Sequence, residues 1–407
     1  MAIIVQKYGG SSVADLERLG RVADKVVAAK RAGHDVVVTV SAMGKTTDGL
    51  LELARKASTH DGTPHDAPRR ELDMLVSTGE RVSMSLLCIA IAARGESAIS
   101  FTGSQSGIIT NDRHFDARII EVRPHRIEDE LSRGRIVIVA GYQGMSYRRE
   151  ITTLGRGGTD TTAVALAAAL GADRCEIYSD VDGVYSADPR SVADARHLPA
   201  VGYETLQEMA ECGAKVLNAQ AVEWARKARI TIAARSTFDT WETSTRHRQT
   251  LVGPDAAEGP GAARVRAIVA EKNLVYVRVR GGDALGRVVH AAAAGRVPLR
   301  DLHWSDDGGA FVVPLLNVPD WRDAEARLRA AGGDHLTLET GLASTAVVGG
   351  GLSTEGEPLA RFARTVAEVA PFRHLVATPL RLSALVDATH APDLERRLHR
   401  DFTIEDA

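Results

Sequence analysis

"IIVQKYGGSS" (residues 3–12) decides how the first half of the chain folds. Ile3, Ile4 and Val5 form an apolar, β-branched run, the pattern of a strand buried on both faces of a parallel sheet. From Val13 to Ala32 the spacing becomes helical, with Leu16, Leu19, Val22, Val26 and Val27 on one face. Gly9 and Gly10 therefore fall on a strand-to-helix turn, where backbone N–H groups lie beside a helix N-terminus. Such a turn is an anion site, and Lys7 adds a full positive charge to it. A tight turn with a solvated lysine fits the same ten residues.

Working outward, residues 1 to about 245 alternate strand-like and helical segments. Strands are expected at Val36–Val40, Ala98–Phe101, Ile136–Ala140, Cys175–Tyr178 and Ile230–Ala234, with helices at Arg81–Arg94, Thr161–Leu170 and Ala214–Lys227. The alternation predicts a mainly parallel sheet covered by helices on both faces. The stretch "LVGPDAAEGPGAA" (251–263) reads as a linker.

Beyond it the units shrink. Strands are expected at Leu274–Arg280, Ala310–Leu316 and His335–Glu339, with helices at Ala284–Ala294 and Asp320–Ala331. A second cycle gives strands Thr345–Val348 and Arg381–Val386 with helices Glu357–Val369 and Ala391–Phe402. The order fits two βαββαβ-like units of about 70 residues each.

The 407 residues carry a net charge of −3, which gives no basic field for nucleic acid. No apolar run reaches the roughly 18–20 residues of a membrane span, and the N-terminus enters a strand without a signal-peptide pattern. The three cysteines, Cys88, Cys175 and Cys212, are too scattered for a metal cluster or a disulfide framework. A soluble, cytoplasmic protein is expected. Only eight of the 50 basic residues are lysines, which makes a lysine in a glycine-rich turn less ordinary.

Three stretches of the first half end a predicted strand, where an open parallel sheet binds ligands. They are Lys7-Tyr8-Gly9-Gly10, "TTLGRGGTDTTAVALAAALGA" (152–172) and "EIYSDVDGVYSADPR" (176–190). No G-x-x-x-x-G-K-[ST] occurs, and Asp160 stands where a dinucleotide fingerprint requires a third glycine. Phosphoryl transfer suits what remains, because it needs positioning and charge neutralisation more than covalent chemistry. Lys7 can neutralise the transferred group, and Arg156 can fork a carboxylate or form a surface ion pair. Asp160 can act in the site or serve as a first-turn helix acid, and Glu80 can act as a capping acid. None of the 13 histidines falls in these stretches; His34, His60, His114 and His125 read as surface or packing residues.

The chain resembles the aspartate kinases of the amino acid kinase superfamily. The resemblance rests on an ordered set: "VQKYGGSS" (5–12), "VVVTVSAMGKTTD" (36–48), "STGERVS" (77–83), "SFTGSQSGI" (100–108), "VAGYQG" (139–144), "TTLGRGGTDTTAVALAAALGAD" (152–173), "EIYSDVDGVYSADPR" (176–190) and "GAKVL" (213–217). It implies a three-layer α/β catalytic domain (1–250) followed, after the linker, by two ferredoxin-like ACT units (264–340 and 341–407). It implies transfer of the ATP γ-phosphoryl to the side-chain carboxylate of L-aspartate, with Mg2+ held mainly by phosphate oxygens and water. Lys7, Asp160 and Lys215 are then the catalytic set. Ser41, Thr47, Glu80, Arg156, Gly157 and Gly158 line the aspartate pocket. Lys7, Tyr8, Gly9, Gly10, Ser179, Asp180, Tyr185, Arg190 and Lys215 hold the nucleotide. A homodimer through the ACT-like region is implied as well. Carboxyl phosphorylation needs no strong base, since the aspartate carboxylate is already ionised at neutral pH.

The C-terminal third departs from the family pattern. Where an Asp-x-Pro-Gly turn usually opens the first ACT helix, this chain reads Gly282-Asp283-Ala284-Leu285-Gly286. Leu302-His303-Trp304-Ser305 replaces the usual polar effector contacts, and "VVGGGLSTEGEPLARFARTV" (347–366) keeps only Pro358 of a Pro-Gly-Val segment. Weak feedback control is expected. A carboxyl kinase for a related amino acid in a secondary-metabolite pathway is an alternative, as is a non-catalytic regulatory paralogue. The intact Lys7, Arg156, Asp160 and Lys215 set argues against the paralogue.

Overall fold

The computed structural model describes residues 2–214, 217–238, 248–254 and 264–402, and these divide into two units. The first takes its described residues from Met1–Val184, His197–Gln207 and Lys215–Ala257; the second takes them from Tyr185–Arg196, Glu208–Ala214 and Glu258–Ala407.

The Ile3-Ile4-Val5 run opens β1 (Ile3–Tyr8) of the first unit. The strands that follow are β2 (Asp35–Val40), β3 (Ala98–Phe101), β4 (Ile108–Thr110), β5 (Ile119–Val122), β6 (Ile136–Ala140), β7 (Gln143–Ser146), β8 (Ile151–Thr153), β9 (Arg174–Ser179), β10 (Ala200–Val201), β11 (Ile232–Ser236) and β12 (Gln249–Val252). Eight of them form one sheet in the order β10-β12-β11-β9-β1-β2-β6-β3. It is parallel except where β12 runs against β11. A smaller sheet has the order β8-β7-β4-β5. Leu251 and Val252, expected in the linker, close β12, and residues 255–263 lie outside the described residues.

The helices of this unit are α1 (Leu16–Arg31), α2 (Thr46–Ala57), α3 (Arg69–Val76), α4 (Thr78–Ala92), α5 (His125–Ser132), α6 (Gly158–Ala169), α7 (Tyr203–Glu211, whose last turn belongs to the second unit) and α8 (Ala219–Ala228). Because side chains alternate along a strand, Tyr8 and Lys7 project to opposite faces of the sheet. Tyr8, Val36, Val38, Ile136 and Ile138 pack against Leu19, Val22 and Val26 of α1 and Met84, Leu87 and Ile91 of α4. Helix α6 covers the other face, with α8 packed on α6, so the unit is a three-layer sandwich. A buried polar network ties β1 to β9 on the α1 face. There Glu176 accepts from Gln6, Arg174, Tyr178 and Arg235, and Tyr8 stacks on Tyr178 with ring centroids 4.8 Å apart.

Several expectations shift. Helix α1 begins at Leu16, where Asp15 caps it by accepting the Arg18 N–H at 2.8 Å. Leu16 is 67% exposed and lies outside the buried stripe. Gly9 and Gly10 thus sit apart from the helix N-terminus, and the Gly9 N–H donates to the Tyr178 carbonyl. Helix α8 starts at Ala219, not Ala214, because Asn218 caps it through the Gln220 N–H. By length and composition Arg69–Ala92 would suit a membrane span, against the sequence expectation. Its Leu72, Val76, Met84, Leu87 and Ile91 are buried, as in a core helix.

The second unit contains β13 (Arg264–Arg280), α9 (Gly282–Ala294), β14 (Arg300–Ser305), β15 (Gly308–Pro314), α10 (Trp321–Gly332), β16 (Leu336–Gly350), α11 (Gly356–Val369), β17 (Phe372–Thr378), β18 (Arg381–Asp387) and α12 (Ala391–Phe402). Its strands make one antiparallel sheet in the order β14-β15-β13-β16-β18-β17. The strands expected at His335–Glu339 and Thr345–Val348 are two halves of β16. The two βαββαβ patterns share the long pair β13 and β16. The last half of β13, α9, β14, β15, α10 and the first half of β16 make one. The last half of β16, α11, β17, β18 and α12 make the other, whose fourth strand is the first half of β13. Ala187 and Val192, from the segment after β9, are buried in this second core with Phe362, Leu394 and Leu398. Ser186 Oγ lies 2.9 Å from His399 Nε2, and Ser191 Oγ donates to Glu395 at 2.8 Å.

Candidate active site

Lys7 occupies the next-to-last position of β1, and its ammonium lies 2.7 Å from Asp160 Oδ1 in the first turn of α6. Both side chains are about nine-tenths buried, and the approach is that of an ion pair, not an aligned hydrogen bond. Asp160 thus fixes the charge of Lys7 over the ends of the central strands. Gly10 closes the same turn against the loop after β2, where a Cβ would come within 2.9 Å of the Ala42 carbonyl.

Around this pair three segments converge. The loop after β2 brings Ser41, whose hydroxyl donates to Thr159 Oγ1 at 3.0 Å. Thr47 is half-buried in the first turn of α2, on the same loop. The start of α4 brings Glu80, 2% exposed, with Oε1 accepting the Ala42 N–H at 3.2 Å. Its Oε2 is buried and finds no hydrogen-bond partner among the described residues. Burial pushes the Glu80 carboxyl up to about 7, with its own backbone N–H and that of Ala42 pulling the other way. The vacant oxygen leaves the Glu80 carboxyl able to accept from a further donor besides the Ala42 N–H and its own.

The turn before α6 brings Arg156, exposed and 3.2 Å from Asp48 of α2. Gly157 follows with φ +77°, a left-handed conformation that a side chain would strain, and Gly158 packs against Leu154 too closely for a Cβ. Asn218 holds this turn by donating to the Arg156 carbonyl at 3.0 Å. Neither Thr159 nor Asn218 was singled out from the sequence. An Asn ahead of a helical run is a capping signal, and it was lost when the helix was expected to begin at Ala214.

Ser179 ends β9 and Asp180 follows it. The Ser179 hydroxyl closes on Val181, accepting its N–H at 3.2 Å, and Asp180 is exposed. Tyr185 and Arg190 belong to the second unit, where Arg190 forks Asp188 with two bonds of 3.0 Å. Lys215 lies outside the described residues. The first unit therefore brings Lys7, Asp160, Ser41, Glu80 and Arg156 together.

An open parallel sheet with a buried lysine at the end of its central strand and a glycine-flanked arginine before α6 defines a small-molecule kinase, and the amino acid kinase family profile matches residues 2–234. The aspartokinase of Mycolicibacterium smegmatis is 42% identical across 99% of this chain and 96% of its own. That of Corynebacterium glutamicum is 39% identical across 99% and 97%. The solved E. coli aspartokinase III with aspartate and ADP superimposes with a TM-score of 0.83, covering 98% of this chain and 100% of its own at 24% identity, which supports the fold. The chain belongs to the aspartokinase family, the aspartate kinases of the amino acid kinase superfamily.

Proposed function

We propose that the chain transfers the γ-phosphoryl group of ATP to the side-chain carboxylate of L-aspartate, giving 4-phospho-L-aspartate for amino acid biosynthesis. What carries this reading is the buried Lys7–Asp160 pair beside Glu80, whose vacant oxygen fits a substrate ammonium. Glu80 takes the ammonium and Arg156 exchanges Asp48 for the α-carboxylate, with Ser41, Thr47, Gly157 and Gly158 lining the pocket. A side-chain carboxylate oxygen then attacks the γ-phosphorus, and the bond to the β–γ bridging oxygen breaks as ADP leaves. Lys7 neutralises the equatorial oxygens throughout, and Asp160 holds it there.

Ser179, Asp180, Tyr185 and Arg190, with the Lys7–Gly10 turn and Lys215, are proposed to hold the nucleotide. Mg2+ is proposed to enter on the nucleotide, where it screens the phosphate charge. Residues 1–250 are proposed as the catalytic domain, with 264–340 and 341–407 as ACT-like units. Pairing of two copies through the ACT-like region is supported by edge strand β14, which leaves Leu302 and Trp304 about half exposed.

An assay of ADP formation across amino acids tests the substrate. Aspartate-dependent turnover is expected, and its absence overturns the reading. Arg156→Lys is expected to raise the aspartate KM about tenfold or more, because an ammonium cannot fork a carboxylate. An unchanged KM removes Arg156 from the pocket. The buried Glu80 predicts a pH profile: in the free enzyme the carboxylate is lost as pH falls through about 7. The kcat/KM for aspartate should therefore drop about tenfold per pH unit below that point and level off above it. Glu80→Gln should lower kcat/KM and abolish this acid limb, which separates it from titration of the nucleotide.

A further inference from the structure

Asp73 of α3 is fully buried, and partners from two other segments meet on its carboxylate. Oδ1 accepts the Thr153 hydroxyl at 2.5 Å and the Phe115 N–H at 3.0 Å, and Oδ2 lies 2.6 Å from His114 Nδ1. A buried carboxylate is costly where amides or apolar groups would pack, so its retention calls for a reason. Phe115, at φ +70°, and Tyr142, at φ +68°, are both strained and buried next to this cluster. Strain of this kind gathers where geometry matters to function.

What Asp73 holds leads directly to the pocket. Thr153 ends β8, three residues before Arg156, and its carbonyl accepts the Ala117 N–H at 2.9 Å. The Leu154 N–H donates to the Tyr142 carbonyl at 2.9 Å, and the Tyr142 N–H donates to Thr162 of α6 at 3.1 Å. The Tyr142 ring lies against Gly158, where a Cβ would stand 3.2 Å from it. Its hydroxyl meets the Thr153 side chain, and the charges of Glu80 and Arg156 both bear on it. On the other side, Asp73 stands seven residues before Glu80, and the Ser77 carbonyl between them accepts from Gln143 at 2.9 Å.

We propose that Asp73 is a positioning residue for the amino-acid pocket. Through Thr153 it fixes the strand that delivers Arg156 relative to the helix that carries Glu80, with Tyr142 laid over the first turn of α6. The inference rests on the reading of Glu80 and Arg156 as the groups that grip aspartate.

The test uses the full-length enzyme with Thr153→Val, which removes one bond to Asp73 at nearly constant volume, and Thr153→Ser, which keeps it. Thr153→Val is expected to raise the aspartate KM about tenfold while the ATP KM stays within about twofold, as a misplaced pocket would. Thr153→Ser should restore the parent value. A merely structural role would shift both KM values together or neither, and Ser would not separate from Val. Either of those results overturns the proposal. Arg156→Lys, run alongside, separates the two readings. If it raises the aspartate KM and Thr153→Val does not, this inference alone falls; if neither moves it, the pocket reading falls with it. Should Thr153→Val fail to fold, His114→Gln loosens the other carboxylate oxygen and is expected to give the same split. An unchanged aspartate KM in that variant counts against the proposal.

Discussion

Lys7→Ala is expected to cost about 10³-fold or more in kcat while the aspartate KM changes little. The reason lies in where the charge sits. Glu80 and Arg156, the groups proposed to grip aspartate, are separate from Lys7, which stands next to last in β1 and is held by Asp160 at 2.7 Å. Removing the ammonium deletes charge at the transferred phosphoryl, where it counts most in the transition state, and leaves the amino-acid contacts in place. It also strands the Asp160 carboxylate, whose side chain is 8% exposed. Breaking a buried pair on one side typically costs about 3–5 kcal/mol of stability, so a melting curve must accompany the kinetics. A variant that melts near the parent and has lost kcat supports the assignment. One that keeps kcat within tenfold removes Lys7 from the chemistry. Asp160→Asn should fall in between, because it loosens the lysine without removing it.

Where the backbone is buried on both sides, the sequence was transparent. Ile136–Ala140 is a strand at the expected residues, since a parallel strand between helical layers is a short apolar run, and the partly buried edge strand Ala98–Phe101 also has its expected bounds. The amphipathic α12 likewise has its expected bounds. The edge strand Arg300–Ser305 was not visible: it reads RDLHWS, with no apolar run and four exposed residues. Strand β16 was read as two because a glycine breaks the pattern at Gly341, which has φ +74° and lies at a register shift that the paired strand absorbs.

The site was legible to the extent that its residues lie in glycine-bounded motifs. Asp73 was not, because an acid on an amphipathic helix ordinarily reads as a solvated face, and its partners come from 41 to 80 positions away. His114 was expected to be a surface or packing residue; its partner was the missing information. The attachment of Ala187 and Val192 to the second core was equally hidden, since two small apolar residues in a loop carry no period.

Weak or absent inhibition by lysine and threonine is the second large effect expected. A ligand carboxylate in an ACT-type pocket needs free N–H groups at the helix N-terminus and polar partners on the next strand. At the start of α9 two of the backbone amides are already engaged. The Gly281 N–H donates to the Asp307 carbonyl at 2.7 Å and the Gly282 N–H to Asp306 at 2.9 Å. Leu285, in place of a proline, is buried in the core, so the turn lacks the fixed φ that would preorganise it. On β14 the polar partners are replaced by Leu302, His303 and Trp304, and the Trp304 ring lies over Gly286, 3.5 Å from where a Cβ would stand. Each buried polar partner a ligand fails to find costs ~1–3 kcal/mol. Two or three such losses amount to about a hundredfold or more in affinity. The β-sheet and both apolar cores of this unit are complete without the ligand, so the fold should not depend on it. Lysine and threonine titrated together into the kinase assay should leave activity nearly unchanged up to millimolar concentrations. Half-inhibition in the sub-millimolar range would mean that Trp304 and the Asp306–Asp307 turn move aside on binding, and the pocket would then have to be counted as intact.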